Sequence, residues 1–195
     1  MRAISYVALG FVVAAVILAA MGVVYLKSSG LSTRGEPGEM ETMIARSARS
    51  IAIPASARAL QNPIPVSAGV IAEGMAHYAD HCASCHANDG SGKTEMGEGL
   101  FPKAPDMRLP ATQDLSDGEL FYVIEHGIRF TGMPGWGTGT AAGEQSSWHL
   151  VHFMRHLPKL TAEELETMKE RNPRSPQEIR LELEEERFLN EGAPQ

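Results

Sequence analysis

Cysteine is scarce in this sequence, which has only 2 among its 195 residues. A disulfide framework needs more than that, and a bridge between Cys82 and Cys85 would cross-link almost nothing. Basic residues are also few, with 17 Lys and Arg against 24 Asp and Glu and a formal net charge of −7. Proteins that bind nucleic acids need clustered Lys and Arg to neutralise phosphates. The composition therefore excludes a disulfide-stabilised scaffold and a nucleic-acid binder.

The sequence has no convincing alternation of apolar and polar residues, which is the pattern of a half-buried strand, and no internal repeat. Helical spacing is present instead. After Ser67, which can cap a helix, Ile71, Met75, Tyr78 and Cys82 follow one another at helical intervals. This pattern predicts an amphipathic helix that ends at the first cysteine.

Further helix signals follow along the chain, and together they predict an all-α fold. They are a capping box at Ser116 and Glu119, a terminating glycine at Gly127, an apolar helical face over about 145–157 that stops at Pro158, and a second capping box at Thr161 and Glu164. Residues 88–113 are rich in Gly, Pro, Lys and Asp and are predicted to form a long loop.

Charge is absent from the 23 residues between Ile4 and Leu26. At about 1.5 Å per residue, this stretch can cross a hydrocarbon core of about 30 Å. The alternative is a cleaved secretory signal, but the apolar part of such a signal is normally only about 7 to 15 residues long. The length favours a retained transmembrane helix.

Four segments follow from these patterns. They are an N-terminal transmembrane anchor over 1–27, a flexible linker over 28–63 that is rich in Ser, Ala, Gly and Pro, a central domain over 64–158, and a charged, helical C-terminal tail over 159–195. Three short helices joined by long loops give a thin core for a domain of that size. We therefore expect a non-protein group to fill its centre.

Both cysteines lie in the motif Cys82-Ala-Ser-Cys85-His86. A thioredoxin-type redox pair would follow a strand, whereas a helix leads into Cys82. A zinc site could add His152 and His156, but these histidines are much further along the chain than the roughly 12 to 15 residues of a zinc finger. The third chemistry is covalent haem attachment, whose signature is C-x-x-C-H. In that case Cys82 and Cys85 form the thioethers, and His86 is the proximal ligand of the iron.

The sixth position of the iron then needs a second ligand or stays open. Met133 is the best candidate, because Gly132 and Gly135 let the backbone approach a flat ring and Pro134 stiffens the turn. The rival candidates are Met96 and Met107 in the long loop and, for bis-histidine ligation, His126.

With these features, the sequence resembles a class I cytochrome c over about residues 66–158. The resemblance rests on "GMAHYADHCASCHANDGSG", "APDM", "LFYVIEHGIRFTGMPGWG" and "WHLVHFMRHLP". It implies an all-α fold, here with an N-terminal transmembrane helix, in which Gly74 allows close approach of Phe153 where two helices cross. It also implies that Met133 is the distal ligand of one covalently attached haem c.

The resemblance also implies roles for residues around the cofactor. The carbonyl of Pro102 or Pro105 would orient the Nδ1–H of His86, which fixes the tautomer of the ring. Trp136 would lie near a haem propionate, and Arg108 is a further candidate for a propionate contact.

The function implied is single-electron transfer between respiratory or other membrane redox partners, not enzyme catalysis, and no small-molecule substrate is expected. The haem domain would lie on the periplasmic side of a bacterial inner membrane, because haem is attached to this motif outside the membrane. With 5 basic and 11 acidic residues in 64–158, the protein is expected to dock on a basic partner surface. The alternatives are a haem subunit of a larger oxidoreductase and a haem-based sensor.

Overall fold

The computed structural model of the chain describes residues 2–30, 32–173 and 176–191. The other residues of the predicted anchor, linker and tail, namely 1, 31, 174, 175 and 192–195, lie outside the described residues. The chain forms two compact units, Met1–Gly35 and Glu36–Gln195, and each is considered by itself.

The first unit contains helix α1 (Arg2–Ser29). Within it, the 23 residues Tyr6–Ser28 have a mean hydropathy of 2.8. At 1.5 Å per residue this stretch is about 35 Å long, which is enough to cross a bilayer core of about 30 Å. Its length and composition suit a membrane anchor, although a signal sequence near an N-terminus has the same character.

The second unit is helical, with no β-strand among its described residues, as the sequence predicts. Its helices are short, and a π-helical turn and a 3₁₀ turn interrupt the series. In chain order they are α2 (Glu39–Ala52), α3 (Ala55–Arg58), α4 (Ala68–His77), the π turn Tyr78–Cys82, α5 (Ala83–His86), α6 (Glu95–Gly99), α7 (Pro110–Gln113), α8 (Asp117–His126), α9 (Ala141–His156), the 3₁₀ turn Leu157–Lys159, α10 (Ala162–Lys169) and α11 (Pro176–Glu191).

The helix ends follow the predicted capping residues. The Ser67 hydroxyl accepts a hydrogen bond from the Val70 amide at the start of α4. Full capping boxes begin α8 at Ser116 and α10 at Thr161, and Gly127 ends α8 with a φ of +68°. Helix α9 begins earlier than the predicted residue 145, because the Thr140 hydroxyl caps it by accepting from the Gly143 amide.

Helices α4 and α9 form the centre of the core. A Cβ added to Gly74 would lie only 2.3 Å from the carbonyl oxygen of His149 and 2.9 Å from the Cβ of Phe153. Phe153 and Tyr78 are almost fully buried, and their ring centroids are 5.0 Å apart. The expected close approach of Gly74 and Phe153 is therefore confirmed, and it sets how closely the two helices cross.

The segment before the central domain differs from the predicted flexible linker. Ile53 is only 3% exposed, and the Asn62 side-chain amide donates to the Trp148 carbonyl at 2.9 Å. The Ser116 hydroxyl donates to the Arg58 carbonyl at 3.1 Å, which ties α3 to the start of α8. The segment is rich in small residues, a composition typical of tethers. Here that composition allows close packing of two backbones, since a Cβ at Gly118 would lie 1.9 Å from the carbonyl oxygen of Ala57.

The predicted tail also divides into two parts. Helix α10 is part of the core, because Met168 is completely buried. In α11 the described apolar side chains are exposed, among them Leu181, Leu183 and Phe188. Part of the segment predicted to be a charged tail therefore packs on the central domain.

Candidate functional site

The two cysteines lie where α4 gives way to a π turn and then to α5. The wider turn places one more residue between Tyr78 and the motif than a regular helix would. The Tyr78 hydroxyl donates to the Ala87 carbonyl at 3.0 Å, just past the end of α5. A buried aromatic side chain thus fixes both ends of the segment that carries Cys82, Cys85 and His86.

The predicted long loop folds back on this motif. The Gly92 amide donates to the His86 carbonyl at 2.9 Å, and the Thr94 hydroxyl donates to the Cys85 carbonyl at 3.1 Å. Helix α6 then lies against α5 so closely that a Cβ at Gly97 would be 2.2 Å from the Cys85 carbonyl oxygen. These contacts satisfy backbone groups at the end of α5 and hold the histidine in place.

Met133 lies in a loop that returns to the end of α8. The Ile128 amide donates to the Met133 carbonyl at 3.1 Å, and the Met133 amide donates to the Thr131 hydroxyl at 3.1 Å. Further along, the Trp136 amide donates to the Ile124 carbonyl at 2.8 Å. No side chain larger than that of glycine fits at Gly127, because a Cβ there would lie 2.6 Å from the Met133 carbonyl oxygen.

A cavity of about 390 Å³ in the second unit brings these segments together. Among its lining residues, the rings of His81 and Trp136 meet edge to face, with centroids 5.3 Å apart. The remaining lining is mostly apolar and includes Leu100, Phe101 and Ile128. Of the predicted site residues, Cys82, Cys85, His86, Pro102, Pro105, Met133 and Trp136 line this cavity.

Arg108 is the predicted site residue that does not line the cavity. Its guanidinium donates to both carboxylate oxygens of Asp106, at 2.7 and 2.9 Å, and to Asp89 at 3.0 Å. Hydrogen bonding to Arg108 lowers the pKa of Asp106. The sequence prediction of a propionate contact is therefore not supported, because these two nearby carboxylates hold the guanidinium.

Burial controls the protonation of His86. It lowers the pKa of the ring, while the carbonyl of Pro105 acts in the opposite direction. Nδ1 is buried, and no described atom forms a hydrogen bond of good geometry with it. The Pro105 carbonyl is close enough to influence the pKa of the ring without forming such a bond. Of the two prolines considered from the sequence, the structure brings Pro105 to the ring. A neutral imidazole is the form that binds a metal ion.

Cys82 is partly buried against the apolar core. Burial, with a smaller contribution from Cys85, raises its pKa to about 12. A redox-active thiol of the thioredoxin type needs a lowered pKa, because the thiolate is the nucleophile. The environment of Cys82 therefore disfavours thiol–disulfide chemistry.

The zinc alternative also lacks support. His152 Nε2 lies 2.7 Å from the Ile64 carbonyl oxygen, and His156 Nε2 lies 2.8 Å from a carboxylate oxygen of Glu164. Within the part of the chain that the structure describes, no three His, Cys, Asp or Glu side chains form a group suited to a metal ion. Both histidines have structural partners instead.

The rival distal ligands lie away from the cavity lining. Met96 is 58% exposed, whereas Met107 is buried in the apolar core. His126 is exposed at the end of α8, where its ring stacks on Tyr122. Of the four candidates, only Met133 lines the cavity that contains His86.

Sequence reasoning missed one part of the cavity. Glu36, Glu41, Arg46 and Arg49, from the predicted linker, also line it. Arg46 also borders a second, shallow depression on an adjoining face of α2. The helical spacing of Arg46 and Arg49 is the one sequence signal for this part of the cavity. Charged residues in a segment rich in small residues are also typical of a solvated tether, so the spacing alone does not predict a contact with the site.

The chemistry of the cavity fits a haem c. Two cysteines can form thioethers, a partly buried histidine whose pKa is lowered by burial and a methionine sulfur are suitable iron ligands, and a mostly apolar lining suits the flat ring. The spacing of Cys82, Cys85 and His86 also matches the C-x-x-C-H signature of haem attachment.

A family comparison indicates a c-type cytochrome domain, and the helical fold and this cavity are consistent with class I; such a domain implies a covalently bound haem c and electron transfer through it. More particularly, residues 69–154 match the family model described as cytochrome c oxidase, cbb3-type, subunit III. The match leaves α1, α2 and α3 on one side and α10 and α11 on the other outside the matched segment. A search of curated proteins found none that matches the chain.

Proposed function

We propose that this protein is a membrane-anchored electron carrier with one haem c. The observation that carries the proposal is the cavity that collects Cys82, Cys85, His86 and Met133 from two separate segments. Two thiols for attachment and two axial ligands are the set that one haem c requires. The chain has no third cysteine from which a second attachment site could be made.

Each of these residues has a defined task in the proposed carrier. Cys82 and Cys85 would hold the haem covalently, and His86 and Met133 would be the ligands of its iron. Bound haem supplies the one-electron Fe(III)/Fe(II) couple. With both His86 and Met133 as ligands, the iron would have no open site for a substrate, which favours an electron carrier over an enzyme. Pro105 would orient the His86 ring, and Trp136 would cover an edge of the haem.

The test is the absorption spectrum of the purified protein, oxidised and reduced, beside a Met133→Ala variant. The oxidised wild type should show the weak sulfur-to-iron band at the red end of the visible spectrum, and the variant should lose it. Met96→Ala is the matched control, because Met96 is exposed and does not line the cavity. This control should keep the band.

A different outcome would redirect the assignment. Rapid carbon monoxide binding by the reduced wild type would indicate a displaceable distal ligand and therefore a sensor. A preparation without haem would refute the proposal altogether.

We further propose that α1 is retained as an anchor in a bacterial inner membrane, with the haem domain on the periplasmic side. The length of its apolar stretch supports retention, and attachment of haem outside the membrane supports the orientation. Intact-mass measurement should give the full 21.1 kDa chain plus one haem. Protease added to spheroplasts should digest the haem domain; a protected domain or a shortened mature chain would contradict this.

A second candidate is a haem subunit of a larger oxidase. The matched family model, which describes a subunit of a cbb3-type oxidase, favours it. The local electron-transfer chemistry would be the same, but the partners would be permanent. Purification in mild detergent distinguishes the two, since a subunit should copurify with a stoichiometric complex and a carrier should not.

A further inference from the structure

Helix α2 extends across the cavity between two attachment points. At its N-terminal side, Glu36 forms an ion pair with Lys103, which lies in the proline-rich loop after α6. At its C-terminal side, Ile53 is buried and its carbonyl accepts a hydrogen bond from Arg58 at 3.0 Å. No side chain within α2 is itself buried. The helix is therefore held by its ends, and the cavity lies between it and the apolar lining.

The residues that α2 directs into the cavity recur with helical spacing. Thr42, Arg46 and Arg49 lie within about two turns on one side of the helix, with Glu41 and Ala45 beside them. The apolar residues Met40, Ile44 and Ile51 are on another side and are exposed. Helix α2 thus presents its polar and basic face, not its apolar one, to a cavity that is otherwise mostly apolar.

The two arginines are free to bind a ligand. Arg58, Arg108 and Arg155 have carboxylate partners, and Lys103 has Glu36. Neither Arg46 nor Arg49 forms an ion pair or a side-chain hydrogen bond with any residue that the structure describes. Guanidinium groups bind carboxylates with paired, charge-assisted hydrogen bonds.

Resting on the proposed function, we propose that Arg46 and Arg49 bind the carboxylate groups of the haem, and that α2 is a strap which completes the haem site. The propionates are the anionic groups of the ring, and these arginines are the unpaired cations that line the cavity. Glu41, the remaining unpaired acidic group of this lining, would turn away from the propionates. The strap lies outside residues 69–154, so the family match does not assign it.

The reduction potential of the haem provides the test. Positive charge near the iron favours the reduced state, so Arg46→Gln with Arg49→Gln in the full-length haem protein should stabilise the oxidised form. We expect the equilibrium constant for reduction to fall by about tenfold, which is ~59 mV for a one-electron couple. The variant with lysine at both positions keeps the charge and should remain within about threefold of wild type, or ~30 mV.

The matched control is Lys159→Gln with Arg171→Gln, because both residues are exposed and neither lines the cavity. This pair removes the same net charge and should shift the constant much less, since solvent and salt screen distant charges. Hydrogen exchange gives a second measurement. Amides of α2 should exchange faster in the arginine double variant than in the control.

The outcomes separate this proposal from the assignment of the site. Equal shifts in the arginine and control pairs, or unchanged exchange in α2, would overturn the strap while leaving the haem assignment intact. Absence of haem from the wild type would overturn the proposed function instead. If the double variant does not accumulate, the single glutamine variants should each lower the potential, and two unchanged potentials would refute the proposal.

Discussion

The crossing of α4 and α9 allows a sharp test of the packing. Replacing Gly74 with alanine would place a Cβ 2.3 Å from the His149 carbonyl oxygen, 2.8 Å from its carbonyl carbon and 2.9 Å from the Phe153 Cβ. Two of these three atoms belong to the α9 backbone, so rotation of a side chain cannot relieve the overlap. The helices must separate, and the packing around Tyr78 and Phe153 must loosen.

The expected change in stability is the difference between two opposing effects. Alanine inside a helix is favoured over glycine by about 1 kcal/mol, whereas overpacking of a core costs about 1–3 kcal/mol and sometimes more. Because two of the overlapping atoms belong to the backbone, the upper end of the overpacking cost applies, and subtracting the helix-propensity gain leaves a net loss of about 2 kcal/mol in the free energy of unfolding. For a unit of this size, that lowers the melting temperature by roughly 4–8 °C.

The assay is urea and thermal unfolding of the haem-loaded protein, followed by far-ultraviolet circular dichroism. Gly69→Ala is the matched control in the same helix, because the nearest atom to its added Cβ is 3.9 Å away. This control should equal or exceed the wild type in stability. Equal stability of the two variants would refute the reasoning that Gly74 sets the distance between the helices.

Three further predictions concern the distal loop, a helix cap and the docking surface. Gly127→Ala should weaken the sulfur-to-iron band, because its Cβ would lie 2.6 Å from the Met133 carbonyl oxygen; Gly139→Ala, at the same φ of +68° but with no atom within 4 Å, should keep the band. Glu164→Ala should destabilise the protein by about 1 kcal/mol near pH 7, since it removes the carboxylate that accepts hydrogen bonds from Thr161 and His156. Burial alone would raise the pKa of Glu164, but these bonds lower it overall, so the difference between wild type and variant in urea unfolding should shrink as the pH falls below about 4.5. Finally, association with a basic redox partner should slow as salt is raised from about 20 to 300 mM in stopped-flow measurements; a rate indifferent to salt would count against an acidic docking surface.

The sequence predicted those features that depend on neighbouring residues. The caps at Ser67, Ser116 and Thr161 form as expected, because a capping bond needs only the first turn of its own helix. The roles of the attachment motif and of Met133 as haem ligands stay predictions, and they rest on residue type and short spacing alone. That these residues share a cavity is a result of the structure.

Features that depend on contacts between distant segments were not predictable in this way. Arg155 donates to the Gln113 carbonyl and to Asp117, which lie 42 and 38 residues away, so the sequence gives no local sign of the pairing. The same limit applies to α3, whose short run of small residues has no apolar face to indicate its packing on α8. Arg108 is a candidate for a propionate contact by sequence, whereas in the structure its guanidinium pairs with Asp106 and Asp89.

The second unit begins at Glu36, well before the predicted start of the central domain at residue 64, and this affects how the protein would meet its partners. Helix α1 ends at Ser29 and the second unit begins at Glu36, so the connecting chain of residues 30–35 spans at most about 20–25 Å when fully extended. In a chain that keeps α1, the haem domain cannot search a wide volume on a long tether. Encounters would then depend on lateral diffusion of the whole molecule in the bilayer, and the electron-transfer rate would vary with membrane viscosity and with the surface density of the partner.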